Sequence, residues 1–239
     1  MKKLFTIVDM FCGAGGESTG IMQAAQEQDM DVSLFAINHW EKAIDTHSAN
    51  YPMAEHLCQS VEHIDPVKVI PGQKLDLLWA SPECTHHSNA RGGRPRSEQG
   101  RASAWLILKW LSELYVERVI VENVPEFLSW GPLDTAGKPI KPQKGKTFKA
   151  FAASIRSMGY TVDWRVLCAA DYGDPTTRKR LFIQAVRFRM LKRRELMRAH
   201  SFPDNYILKG NSAEQVRQIG NSVPVKLAKA LAKAAIYKV

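Results

Sequence analysis

Apolar residues recur along this chain in two rhythms. Residues 4–10, 32–37, 75–80 and 118–121 are short runs rich in Leu, Val and Ile, the pattern of strands buried on both faces of a sheet. Between them the spacing lengthens to that of helices. A helix is predicted over residues 17–27, and another runs toward Asn50 with Asn38 as its cap. Residues 102–114 place Ala104, Ile107, Leu108 and Leu111 on one face, and Phe148, Phe151, Ala152 and Ile155 repeat the spacing. Residues 162–168 then alternate and residues 181–186 form a further apolar run, with no helical pattern between the two. The last helix, over residues 225–237, is expected to bury Ala228, Leu231 and Ala235 while Lys226, Lys229 and Lys233 face outward.

Strands alternating with helices predict an α/β fold: a mainly parallel, twisted sheet with helices on both faces, its late strand pair free to run antiparallel. Two stretches lack either rhythm: residues 89–101, with four arginines against one glutamate, and residues 131–147, rich in Gly, Pro and Lys. Long loops in compact domains usually serve a function. A length of 239 residues suits one well-buried core, so a single catalytic domain over residues 1–239 is expected.

Composition narrows the class. With 45% hydrophobic and 24% charged residues the chain is of ordinary globular type, and no apolar run is long enough to span a bilayer. Asp9 breaks the apolar opening and no small-residue cleavage site follows, so a cytoplasmic location without a membrane partner is expected. A net charge of +9 points to a polyanionic partner. The four cysteines, Cys12, Cys58, Cys84 and Cys168, lack disulfide-framework spacing and are expected to be reduced.

Cys84 stands out among them. The strand over residues 75–80 ends at Ser81-Pro82, which cannot continue a ladder, so Cys84 emerges at a strand's carboxyl end, where open α/β sheets bind ligands. It reads as a nucleophile, as a buried structural cysteine, or with His86, His87, His56 and Cys58 as a metal ligand; no metal is expected, because no Cys-x-x-Cys pair preorganises a site. The Gly13, Gly15, Gly16 turn fits either a nucleotide-type cofactor or plain strand-to-helix packing. Glu122-Asn123 follows another strand, and Arg178-Lys-Arg180 precedes the next. Alone, these two are an exposed carboxylate and a solvated basic cluster.

Taken in order, however, Asp9-Met-Phe-Cys-Gly-Ala-Gly-Gly16, Ser81-Pro-Glu-Cys84, Glu122-Asn-Val124, Arg178-Lys-Arg180, Arg194-Glu195 with Phe202-Pro-Asp204, and Gly220-Asn-Ser-Val-Pro224 resemble the motifs of DNA (cytosine-5)-methyltransferases over nearly the whole chain. The Ser-Pro-Glu-Cys-Thr-His-His form looks like phage or prophage members. The resemblance implies a Rossmann-like methyltransferase fold and transfer of a methyl group from S-adenosylmethionine to C5 of a cytosine flipped out of DNA, as in restriction-modification systems. It implies that Cys84 adds to C6, that protonated Glu122 engages N3 and that Arg180 lies near the base carbonyl. It implies a cofactor pocket of Phe11, Gly13, Ala14, Gly15, Gly16, His39, Trp40, Ser60 and Val61, closed by Asn221 and Val223. Ser88, Arg91 and Arg178 would contact DNA.

Three departures from the family pattern follow. His39 stands where an acidic residue commonly meets the cofactor ribose, and Ser60 where Asp meets the adenine. Arg180 and Arg194 are only fourteen positions apart, which leaves seven residues, 188–194, where a target-recognition region normally lies. Either the protein is a minimal catalytic form with relaxed, salt-sensitive DNA methylation, or another segment or a separate partner supplies recognition. A remnant that binds DNA or cofactor without turnover, and a cytosine-5 methyltransferase acting on RNA, are the alternative readings.

Overall fold

The computed structural model describes residues 4–83, 103–134, 139–188 and 191–236. They fall into two compact units, Met1–Phe188 and Arg189–Val239. The first unit holds a seven-stranded sheet in the order β3-β2-β1-β4-β5-β7-β6. Its strands are β1 (Leu4–Met10), β2 (Asp31–Asn38), β3 (Glu55–Cys58), β4 (Lys74–Ala80), β5 (Tyr115–Asn123), β6 (Tyr160–Cys168) and β7 (Lys179–Arg187). The helices are α1 (Gly16–Glu27), α2 (Glu41–Asn50), the single turn α3 (Pro66–Val69), α4 (Leu106–Glu113) and α5 (Lys146–Ser157). β1 to β5 pair in parallel, whereas β7 is antiparallel to both β5 and β6.

Successive strand residues enter opposite layers, as the pleat requires. Val8, Met10, Leu78, Val119, Val121 and Ile183 join the larger cluster, which α4 and α5 cover with Ile107, Trp110, Phe148, Phe151 and Ile155. Ile7, Leu34 and Leu77 face the other way, packed with Ile21 of α1 and with Trp79 and Ile120. Edge-to-face rings tighten the larger layer, since Phe151 meets both Trp105 and Phe127 near 90°.

Several expectations change in detail. Asn38 does not cap α2: its side chain accepts from Trp40 N at 2.9 Å, holding the turn after β2, and Trp40 occupies the cap position. The predicted 102–114 helix begins as a 3-10 turn at Ser103–Trp105, and Trp110 is sealed where Leu108 was expected to be; Leu108 packs at the rim. In β6 the alternation slips near its end, so Val166 is 43% exposed, as an outermost strand allows.

The second unit carries α6 (Arg193–Ala199), α7 (Ser212–Gly220) and α8 (Val225–Ile236). No residue of α8 is buried, against the expectation for Ala228, Leu231 and Ala235; Leu231 is 61% exposed. Among the described residues of this unit Met197 and Ile219 are the buried apolar side chains, too few to take up an apolar helix face.

A buried polar chain ties together the elements around the glycine turn. Ser18 Oγ of α1 donates to Asp9 Oδ2 of β1 at 2.6 Å, and His47 of α2 places Nε2 2.9 Å from Ser18 Oγ and Nδ1 2.9 Å from His56 Nε2 of β3. Burial, then the charge of His56, depresses the His47 pKa, so a neutral ring fits: Nε2–H donates to Ser18 and Nδ1 accepts from His56. His47 also backs the turn. A Cβ on Gly15, whose φ is +94°, would stand 3.0 Å from its Cδ2.

Burial, with a smaller contribution from the charge of Glu17, pushes the Asp9 carboxyl up to about 7 against the Ser18 hydrogen bond. The unfolded group ionises near 3.8, so the folded protein holds the extra proton between these values and stability falls as pH rises through that window. Asp9→Asn is expected to gain Tm relative to the parent from pH 5 to 7 and to level off above it. A constant offset across that range would exclude Asp9 as the titrating group. In urea unfolding, Phe151→Ala is expected to lose about 3–5 kcal/mol, since its ring is fully buried.

Candidate active site

Parallel strands bring their carboxyl ends to one edge of the sheet, and backbone hydrogen bonds lock the segments that leave it. Cys12 N donates to Ile37 O at 3.1 Å, Gln59 N to Asn38 O at 3.0 Å and Ser81 N to Met10 O at 3.0 Å. The edge thus collects Phe11 to Gly16 after β1, His39 and Trp40 after β2, and Ser60 and Val61 after β3. Phe11 (φ +65°) and Gly13 (φ +52°) take left-handed conformations that bend the chain into the N-terminus of α1. A Cβ at Gly13 or Gly16 would meet nothing within 4 Å, so this backbone is open to a ligand. Trp40 is 63% exposed, His39 is exposed, Ser60 half-buried and Val61 buried.

Asn221 and Val223 belong to the second unit, where Asn221 ends α7 and Val223 is 58% exposed ahead of α8. Cys84, Ser88 and Arg91, with His86 and His87, lie outside the described residues. The segment leading to Cys84 is fixed. Asn123 Nδ2 donates to Pro82 O at 3.1 Å while its Oδ1 accepts from Val124 N at 2.9 Å, and Ser81 Oγ donates to Glu17 Oε1 at 3.1 Å.

Glu122 and Arg180 meet because β7 is antiparallel to β5. The register pairs Glu122 with Phe182 and Asn123 with Leu181, which sets the start of β7 beside the end of β5. Arg180 Nε lies 2.9 Å from Glu122 Oε1, with the two side chains only 20% and 17% exposed. Two effects oppose each other at this carboxyl. Burial raises its pKa, Arg180 lowers it, Glu17 adds to the rise and Arg178 to the fall, and burial prevails. The pair can therefore exchange a proton with a ligand while keeping a guanidinium beside it. Arg178 is exposed just before β7, its carbonyl accepting from Ala169 N.

The same three side chains top a groove of about 1070 Å³ that runs down the sheet past Trp79, Phe182 and Ile7. Of the cofactor candidates only Gly16 lines it, so the groove meets the edge where the others gather at the N-terminus of α1. Of the remaining thiols, Cys12 is unlike a nucleophile, fully buried with its thiol pushed up to about 12 by burial first and Asp9 second; Cys58 is exposed at the end of β3, and Cys168 is half-buried at the end of β6. His56 is committed to His47, and among the described residues no group of three or more His, Cys, Asp or Glu could hold a metal ion. No helix among them is long and apolar enough to cross a membrane.

Sequence reasoning missed two positioning residues. Asn123 has a visible signal: the buried phase of β5 runs through Val119 and Val121 onto a polar side chain that must find partners inside. Glu17 had no signal beyond its place in the first turn of α1.

The sequence profile of the C-5 cytosine-specific DNA methylases matches residues 5–188 and 184–237. A Type II methyltransferase, M.AgeI of Thalassovita gelatinovora, is 30% identical over 183 residues, covering 74% of this chain and 38% of its own length. M.SacI of Streptomyces achromogenes is 30% identical over 196 residues, covering 77% and 48%. This chain thus spans about half, or less, of the length of these relatives. Among solved structures, DNMT2 of Spodoptera frugiperda superimposes with a TM-score of 0.57 at 20% identity, over 77% of this chain and 50% of that one. A methyltransferase of Entamoeba histolytica matches over 97% of this chain and 98% of its own at 13% identity, with a TM-score of 0.54. The structural matches establish a methyltransferase fold, and the profile, spanning both units, places the chain in the C-5 cytosine-specific DNA methylase family.

Proposed function

We propose that the protein transfers a methyl group to C5 of cytosine in DNA, with Cys84 as nucleophile and Glu122 and Arg180 as its partners. The observation that carries this reading is the half-buried Glu122–Arg180 pair at the sheet edge toward which Ser81 and Pro82 lead. A target base must leave the helical stack before its ring can be attacked. Cys84, as thiolate, adds to C6. Glu122, whose burial favours the protonated form, donates to N3 and takes up the electron density that addition pushes into the ring, which leaves C5 nucleophilic. Arg180 supplies positive charge beside the base carbonyl and the thiolate. After C5 is alkylated its proton passes to solvent, the C6–S bond breaks, and Cys84 departs as thiolate.

The open backbone of the Gly13 turn, the helix N-terminus behind it and the exposed Trp40 ring fit S-adenosylmethionine. Phe11, Gly13, Ala14, Gly15, Gly16, Trp40 and Val61 would hold it, with His39 and Ser60 at ribose and adenine in place of carboxylates, and Asn221 and Val223 closing the site. When bound, the sulfonium supplies an electrophilic methyl group.

With only residues 188–193 between β7 and the Arg194 motif, base reading is reduced, and the chain methylates DNA with relaxed sequence preference. Labelled S-adenosylmethionine incubated with duplex DNA tests this account. Label is expected in DNA of varied sequence, absent with Cys84→Ser, and reduced roughly 10²–10⁴-fold with Glu122→Gln, which keeps a hydrogen bond but cannot deliver an acidic proton. Undiminished transfer by Cys84→Ser would remove that thiol from the mechanism. Transfer to RNA alone would replace the substrate.

A further inference from the structure

Charge is divided unevenly between the two units. Arg189–Val239 contains eleven Lys and Arg against three Asp and Glu, so this fifth of the chain carries +8 of the total +9. Met1–Phe188 is almost neutral, with twenty-two basic residues against twenty-one acidic.

The three acids of the second unit are spent locally. Glu195 accepts from Lys192 N at 2.8 Å and Glu214 from Asn211 N at 2.7 Å, which close the first turns of α6 and α7, and Asp204 pairs with Arg198 Nε at 3.1 Å. Arg193 is held by Gln215, itself bound to Gly210 O. Lys192, Arg194, Lys209, Arg217, Lys226, Lys229 and Lys233 are exposed, with no carboxylate partner among the described residues.

Three of these lie on one helix. Lys226, Lys229 and Lys233 follow the i, i+3, i+7 spacing of a single stripe on α8, which contains no acid. They span about 10 Å along the axis at ~1.5 Å per residue, close to three steps of a nucleic acid strand at ~3.4 Å each. Seven unpaired cations on fifty-one residues repel one another unless a polyanion neutralises them.

We propose that this unit is the phosphate-contacting surface of the protein, with the α8 lysine stripe at its centre, and that it holds duplex DNA without reading its sequence. A basic amphipathic helix also suits an anionic membrane, but α8 has an Ala-rich apolar side without Trp or Phe to anchor in an interface, so the observations favour nucleic acid. The choice of DNA as the polyanion rests on the reading above; the assignment of the surface does not. Its chemistry asks only for regularly spaced phosphates, and it offers a means of binding DNA to a chain whose base-reading interval is nearly absent.

Anisotropy of a labelled duplex, measured with the full-length protein from 50 to 200 mM salt without cofactor, tests the assignment apart from catalysis. The variant Lys226→Gln, Lys229→Gln, Lys233→Gln is expected to bind more weakly and to flatten the slope of log affinity against log salt by about 2–3, near 0.9 per lost contact. Duplexes of unrelated sequence should bind the parent alike. The control Lys42→Gln, Lys68→Gln, Lys149→Gln removes equal charge from the first unit and is expected to leave the slope within about 0.5. Circular dichroism confirms that both variants fold. An unchanged slope in the α8 variant, or equal flattening in the control, overturns the proposal. So does loss of binding to vesicles of anionic phospholipid with DNA binding intact, or tight binding of duplex RNA alone. Absence of methyl transfer by the parent protein, with the slope effect present, would instead count against the catalytic reading.

Discussion

The candidate site depends on one reversal of strand direction. Five parallel strands deliver their carboxyl ends to a common edge, and a sixth parallel neighbour of β5 would have brought its own end there too. Because β7 runs antiparallel, its first residues arrive at that edge instead. That is how a guanidinium in Arg178-Lys-Arg180 comes within 2.9 Å of a carboxylate at the end of β5. The pairing also fixes which face each side chain takes. Glu122 looks toward the groove on the α1 side, while Asn123 turns into the core and grips Pro82. Neighbouring residues thus do different work, one facing the groove and one holding the segment that leads to Cys84.

Around the glycine turn the organising groups are polar, with Asp9, Ser18 and His47 fully buried and His56 half-buried. Asp9, Ser18, His47 and His56 come from β1, α1, α2 and β3, and their hydrogen bonds tie these four elements together. Such groups are expensive to bury alone, and Asp9 Oδ2, Ser18 and His47 are partnered here, while Asp9 Oδ1 is buried without a hydrogen bond. The candidate cofactor contacts lie at the ends of the same elements, so the polar chain beneath sets the spacing of the surface above.

Much of this was legible in the sequence. The strands of the central sheet are continuous runs of branched residues, and the aromatic stripe Phe148, Phe151, Ile155 marks one face of a helix; both appear where the pattern puts them. The short edge strand Glu55–Cys58, with Glu and His among its four residues, has too little apolar signal to find, and α3 is a single turn. The face of α8 was misread because periodicity reports an amphipathic helix, not what lies against it. Family order marked Glu122 and Arg180, yet their contact follows from strand direction, which no local pattern encodes. The polar chain joins residues 9 and 56, and its only local traces are an Asp inside an apolar strand and a His facing inward from a helix.

A near-neutral sheet holds the chemical groups, and a small basic helical unit holds most of the charge. The central claim is that the edge of the sheet performs covalent attack on cytosine. A duplex carrying 5-fluorocytosine tests it directly, because after methylation a fluorine on C5 cannot leave as a proton does, and the nucleophile stays bound to C6. With S-adenosylmethionine present, intact-mass and peptide measurements should find a methylated DNA adduct on Cys84. DNA and cofactor that bind without any adduct, or an adduct on Cys58 or Cys168, would contradict the account.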